Sequence, residues 1–183
     1  GFDAVILPTH FMDPTHRRLP PYIFSEQEIL SLMKEANELF PENGLRPITM
    51  KTFIGLLAST GLRPGEAVRL MSQDVNLGSG EISIHNSKGW KQRVIPLSPS
   101  IIDELKSYVK YRDQFDPLHQ KETFFKLDYQ HSFNINSADY AFNLLRKSIG
   151  LSVKFNGRYP RLYDLRHTFV CRRVTSWYQA GID

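Results

Sequence analysis

The chain has 183 residues with 23 Lys+Arg against 19 Asp+Glu, and 41% of it is hydrophobic and 12% aromatic, which is enough apolar material for one packed domain and excludes disorder over most of its length. A single cysteine, Cys171, excludes a disulfide scaffold and fits a reducing, cytoplasmic compartment. No apolar run reaches the ~18 residues of a membrane span and no signal peptide opens the chain, so no membrane partner is expected.

Residues 1–21 contain Pro8, Pro14, Pro20 and Pro21 and lack periodicity. They read as a linker or the remnant of a preceding DNA-binding module, with residues 22–183 forming one domain. Gly1 in place of an initiator Met points to a processed or truncated chain. A helix is predicted from Ser25, where Ser25 and Glu28 form a capping box ahead of Ile29, Leu32, Met33, Ala36, Leu39 and Phe40, until Pro41 and Gly44 stop it. A second helix is predicted over residues 48–59 with Gly61 just past its end, and a short third opens at Pro64 and runs from Glu66 to Met71. The period then changes to two. Val75-Asn76-Leu77, a Gly78-Ser79-Gly80 turn, residues 81–85 and, after a turn at residues 87–90, residues 93–97 read as three short antiparallel strands, with Pro96 at an edge or strand end.

Ser98 and Pro99 start the next helix, whose buried stripe is Ile101, Ile102, Leu105, Tyr108 and Val109. Residues 114–135 are irregular, with a short strand expected over residues 123–125. A helix over residues 137–148 is closed by Gly150, and a last one spans residues 162–180 with Leu162, Leu165, Phe169, Val170, Val174 and Trp177 on its apolar side. The expected fold is mainly α with a small three-stranded antiparallel β-sheet.

No GxxxxGK[ST] loop, HExxH, paired-cysteine spacing or GxSxG elbow is present, which argues against nucleotide hydrolysis, built-in zinc chemistry and serine hydrolysis. The charge is uneven. Residues 1–153 hold 17 basic and 17 acidic side chains, whereas Lys154, Arg158, Arg161, Arg166, Arg172 and Arg173 stand against Asp164 alone. A neutral body with one basic stripe points to an anionic partner, of which nucleic acid is the commonest; a solvated helix face is the alternative.

Three segments carry the chemistry. They are residues 60–70 (TGLRPGEAVRL), residues 86–97 (NSKGWKQRVIPL, basic and free of acids) and residues 161–169 (RLYDLRHTF). In order and spacing they resemble the catalytic domain of tyrosine recombinases, the phage integrase family: a TGLR-x-x-E segment, a β-hairpin lysine loop running into V-x-P-L, and an H-x-L-R-H-T segment. The resemblance spans about residues 21–183. It implies site-specific DNA recombination or integration through a 3′-phosphotyrosyl intermediate, without ATP, metal or other cofactor, by a homotetramer on double-stranded DNA.

Carried onto this chain, the resemblance puts Arg63 and Arg166 on the scissile phosphate, where planar guanidinium groups grip non-bridging oxygens with paired hydrogen bonds. Arg166 is expected in the first turn of its helix, which favours an anion. Lys88 aligns with the lysine that protonates the departing 5′ oxygen, and Lys91 competes for that role. Glu66 matches the acidic residue that orients the site. Lys91, Arg93, Arg158 and Arg161 are candidate DNA contacts. Trp90 either touches DNA or folds back onto the sheet.

Two departures shape the expectation. Tyr163 stands where the family has His; a phenol titrating near ~10 donates a hydrogen bond where an imidazole near ~6.5 also takes up protons. His167 is read as a supporting polar partner. No nucleophile is assigned within the chain, because the family's tyrosine lies well beyond the Arg166 helix and Tyr178 is on that same helix. The fragment is therefore expected to bind DNA without cleaving it. The rivals are a non-catalytic DNA-binding module or regulator derived from a recombinase, and a type IB topoisomerase-like enzyme.

Overall fold

The computed structural model describes residues 19–85, 92–115, 123–128, 131 and 133–181. The first helix, α1 (Glu26–Glu35), starts as its capping box dictates: Ser25 Oγ accepts from the Glu28 N–H at 3.2 Å and the Glu28 carboxylate accepts from the Ser25 N–H at 2.7 Å. Ile29 and Leu32, with Ala36 in the following 3-10 turn, face inward.

The second helix, α2 (Leu45–Thr60), begins earlier than the periodicity indicated, because Pro47 falls in its first turn, where a missing N–H costs nothing. It is apolar around most of its circumference and packs against α1 and two later helices, α4 (Pro99–Phe115) and α6 (Leu162–Gln179). Met50, Phe53, Ile54, Leu56 and Leu57 are fully buried, and Phe53 meets Phe133 and Phe125 edge-on at 4.9 and 5.3 Å between ring centroids. The Tyr108 hydroxyl, fully buried in this region, is satisfied: it accepts from the Lys126 N–H at 3.1 Å and from Thr49 Oγ1 at 3.3 Å.

The short helix α3 (Pro64–Ala67) leads into a sheet of β1 (Val75–Asn76), β2 (Glu81–Ile84) and β3 (Arg93–Pro96), antiparallel in the order β1-β2-β3. Ile82 pairs with Ile95, Ile84 with Arg93, and Pro96 lies at the end of the outer strand opposite Glu81, where no ladder bond is demanded of it. The expected mainly helical fold with three antiparallel strands is the observed one, completed by α5 (Ile135–Ser148).

Three local expectations are corrected. The third helix stops at Ala67 rather than reaching Met71. In place of a strand at residues 123–125, Thr123 forms an isolated bridge with Met71 and the Phe124 N–H donates to the Leu70 carbonyl at 2.8 Å. On α6 the apolar stripe is buried only at Leu162 and Leu165; Val170, Val174 and Trp177 are exposed among the described residues, because nothing packs on the helix beyond its third turn. No helix among the described residues is long and apolar enough to cross a membrane.

Candidate active site

The turn between α2 and α3 sets the site. Gly61 caps α2 with φ of +65°, the left-handed region, and its N–H returns to the Leu57 carbonyl. Phe169 of α6 packs so tightly there that a Cβ on Gly61 would lie 2.3 Å from the Phe169 ring. The Gly61 carbonyl, turned outward by this conformation, accepts from the Arg166 guanidinium at 2.5 Å. One glycine thus closes the α2–α6 contact and positions Arg166.

Two residues later, Arg63 stands just before α3 as its N-cap residue, and the Glu66 side chain closes that first turn. Glu66 Oε1 accepts from the Arg63 guanidinium at 2.8 Å, and Oε2 accepts both from the Arg63 backbone N–H at 3.0 Å and from Arg93 of β3 at 2.6 Å. Burial pushes the Glu66 carboxyl upward, yet the bonds from Arg93 and from both ends of Arg63 outweigh it and hold the pKa at about 2. Glu66 is therefore an anion fixed between two arginines. Its hydrogen bond and charge raise the pKa of the Arg63 guanidinium, with a smaller upward push from the neighbouring Tyr163 hydroxyl. Arg63 keeps close to half of its side chain open to solvent, so donors remain for an incoming anion.

Arg166 is the fifth residue of α6, not part of the first turn as the sequence indicated. The start of that helix is instead closed by Asp164, fully buried, whose carboxylate accepts from the Arg161 N–H at 2.9 Å and from Arg158 at 3.3 Å, with Arg161 Nη2 at 3.8 Å. Two candidate DNA contacts, Arg158 and Arg161, thereby lean on one internal carboxylate, and Arg158 also bonds the Pro20 carbonyl. Arg93, a third candidate, is committed to Glu66. Arg172 donates to the Phe24 carbonyl. Much of the basic stripe is thus anchored within the protein. His167 lies one turn beyond Tyr163, its ring edge-on to the phenol at 5.3 Å. Tyr178 is almost fully exposed and about 18 Å along the helix axis from Arg166 at 1.5 Å per residue, so it does not reach the arginines. Lys88, Lys91 and Trp90 lie outside the described residues.

A cleft of about 990 Å³ opens beside this cluster and is lined by Arg63, Glu66 and Tyr163, and also by Arg69, Asp74 and His85. The last three carry no local sequence signal: Asp74 precedes β1 and His85 follows β2, and only the pairing of these strands brings them together at 3.3 Å. Among the described residues, no group of His, Cys, Asp and Glu side chains is arranged to hold a metal ion.

Two arginines on a largely buried carboxylate, beside a phenol and a third arginine bonded to a glycine carbonyl, gather hydrogen-bond donors at one end of the cleft. The sequence from residue 23 to residue 182 matches the profile of the phage integrase family. The chain belongs to that family. Its relatives include a putative integrase/recombinase, y4rE, of Sinorhizobium fredii, 36% identical over 160 residues that make up 87% of this chain and 51% of the relative. Tyrosine recombinase XerD of Staphylococcus saprophyticus is 35% identical over 53% of this chain and 31% of its own length. The crystal structure of XerA recombinase shares the fold with a TM-score of 0.67 and 24% identity, covering 85% of this chain and 52% of that one. XerH site-specific recombinase, bound to its palindromic difH substrate, gives 0.68 at 20% identity over 88% and 44%. This phage integrase family chain spans about half the length of the y4rE relative it matches.

Proposed function

We propose that the chain is the catalytic-domain portion of a site-specific tyrosine recombinase or integrase that binds double-stranded DNA and, within the whole protein, cuts and rejoins it through a 3′-phosphotyrosyl intermediate. The observation that carries this reading is the Arg63–Glu66–Arg93 cluster, with Tyr163 lining the same cleft and Arg166 on the neighbouring turn. The family match and the relatedness to y4rE support it.

Arg63 and Arg166 hold the non-bridging oxygens of the scissile phosphate, and Glu66 keeps Arg63 aimed. Tyr163 adds a neutral hydrogen bond to one of those oxygens. As a tyrosine from beyond this chain's Arg166 helix gives its phenolic proton to solvent and attacks phosphorus, the P–O5′ bond breaks and its electron pair leaves on the 5′ oxygen, which takes a proton from Lys88, or from Lys91 as the alternative. The phosphotyrosyl link stores the bond energy until a 5′ hydroxyl reverses the step. Charge stabilisation by preorganised donors supplies most of the acceleration in such a site, so no cofactor is assigned. His167 supports Tyr163, and Arg158 and Arg161 approach the flanking phosphates while resting on Asp164. The working assembly is a homotetramer on two duplexes, in the cytoplasm.

The test is a suicide-substrate assay with the longest natural chain containing this sequence. A covalent protein–DNA adduct that disappears in Arg166→Ala, with folding intact, is the expected result. Wild-type adduct yield in Arg166→Ala overturns the assignment. Salt-sensitive DNA binding with no adduct in any condition supports the second reading, a DNA-binding module derived from a recombinase, which Tyr163 at the family's His position favours.

A further inference from the structure

The last turn of α5 buries a cation for which the described residues provide no counter-charge. Two arginines are buried among those residues, Arg112 and Arg146. Arg112 is met by the Asp113 carboxylate at 2.8 Å. Arg146, only 3% exposed, forms no ion pair among the described residues. Its Nη1 donates to the Leu151 carbonyl, and its guanidinium carbon lies 4.4 Å over the centroid of the Tyr159 ring. Its Nε is fully buried and has no hydrogen-bond partner. A carbonyl, an aromatic face and the negative end of α5 offer partial charges, which compensate a buried full charge incompletely.

Arg146 also lines a cavity of about 480 Å³. Asn143 and Lys147, one turn apart on α5, share that lining with Ser152 and Tyr159 from the loop between α5 and α6, and no acidic side chain belongs to it. Lys154 of the same loop adds a further cation, its Nζ 5.7 Å from the Tyr159 ring centroid. The walls thus present a guanidinium, an ammonium, an amide and two hydroxyls, all of them hydrogen-bond donors.

We propose that this cavity is a phosphate site, in which the Nε–Nη2 edge of Arg146, left free by Leu151, takes two phosphate oxygens side by side and Lys147 supplies the second charge. Such a paired bond to a guanidinium edge is the strong form of anion recognition. A carboxylate would spend both of its oxygens on that edge and leave the hydroxyls and the ammonium idle, whereas a tetrahedral phosphate keeps further oxygens for them. The chemistry is the same for a DNA backbone phosphate and for a free one; the DNA source rests on the DNA-binding reading above. That source also fits the chain path, because Tyr159 stands four positions before Tyr163, which lines the Arg63 cleft.

The experiment titrates this chain with inorganic phosphate at constant ionic strength, following the arginine Nε–H resonances by NMR and the affinity by calorimetry. One Nε–H resonance, missing from the Arg146→Lys spectrum, should shift and saturate. Phosphate affinity should fall by about tenfold or more in Arg146→Lys, which keeps the charge and loses the fork. It should fall likewise in Lys147→Gln, an exposed substitution that leaves the fold intact. Duplex DNA then separates the sources. If its backbone fills the site, Lys147→Gln lowers the slope of log K against log salt by about 0.9, one phosphate contact. An unchanged slope beside lost phosphate binding assigns the site to free phosphate. No saturable phosphate shift at the Arg146 Nε–H, or equal phosphate affinity in wild type and Lys147→Gln, overturns the site and leaves the DNA-binding reading standing. A wild type without salt-sensitive DNA binding overturns that reading instead, while the phosphate titration still decides the site.

Discussion

Replacing Glu66 with Gln tests the electrostatic centre of the site by a route independent of catalysis. The carboxyl titrates at about 2 instead of 4.5, because Arg93 and Arg63 bond its anion. A group whose pKa is depressed in the folded state stabilises that state above its unfolded pKa and loses the contribution as pH falls through its folded one. The drop from 4.5 to about 2 corresponds to roughly 3 kcal/mol at about 1.4 kcal/mol per pH unit. Because Arg63 is close to half open to solvent, screening reduces this, and about 2 kcal/mol is expected. Urea unfolding of wild type and Glu66→Gln at half-unit steps from pH 2 to 7 isolates the contribution, since every other carboxylate is common to both proteins and cancels. The stability gap should be full above pH 5, shrink between pH 4.5 and 2, and be smallest at pH 2. A gap that is constant across this range, or that widens as the pH falls, would falsify the assignment of Glu66 as an anion clamped by two arginines.

Two further substitutions probe how the fold delivers Arg166 and α6. Gly61→Ala places a Cβ against the Phe169 ring at a positive φ, so a loss of about 2–4 kcal/mol is expected from left-handed strain and overpacking together; urea stability within 0.5 kcal/mol of wild type would show the turn to be adaptable. Phe169→Ala in that background should restore the overpacking part and leave the backbone strain. Thr168→Val removes the Oγ1 that accepts the Phe24 N–H at 3.0 Å and strands a buried donor, at a cost of about 1–3 kcal/mol; an unchanged midpoint in the same assay would mean that the chain before α1 is held by other contacts.

Much of the architecture was legible in the sequence because it rests on short-range chemistry. The Ser25–Glu28 capping box, Pro99 opening α4, Gly61 after α2 and the alternation through β2 and β3 each act within a few residues, and each appears where the sequence put it. The Arg63–Glu66 pair was readable for the same reason, at a separation of three residues on one turn. The end of α6 was misread because a run such as Val170, Val174 and Trp177 reports apolar periodicity but not whether anything packs against it.

Other features depend on which segments the folded chain brings together. Arg93 and Arg158 read as candidate DNA contacts in the sequence; strand pairing puts Arg93 2.6 Å from Glu66, and Asp164 holds Arg158 at 3.3 Å. Asp74 and His85 meet only through the β1–β2 register. Motif order pointed to the family and, through that resemblance, to Arg63 and Arg166 as candidates, while the element types followed from local propensity. The tertiary structure alone decided which cations remain free for phosphate and which are held by the protein's own carboxylates, because charge pairing acts across space between residues far apart in the chain.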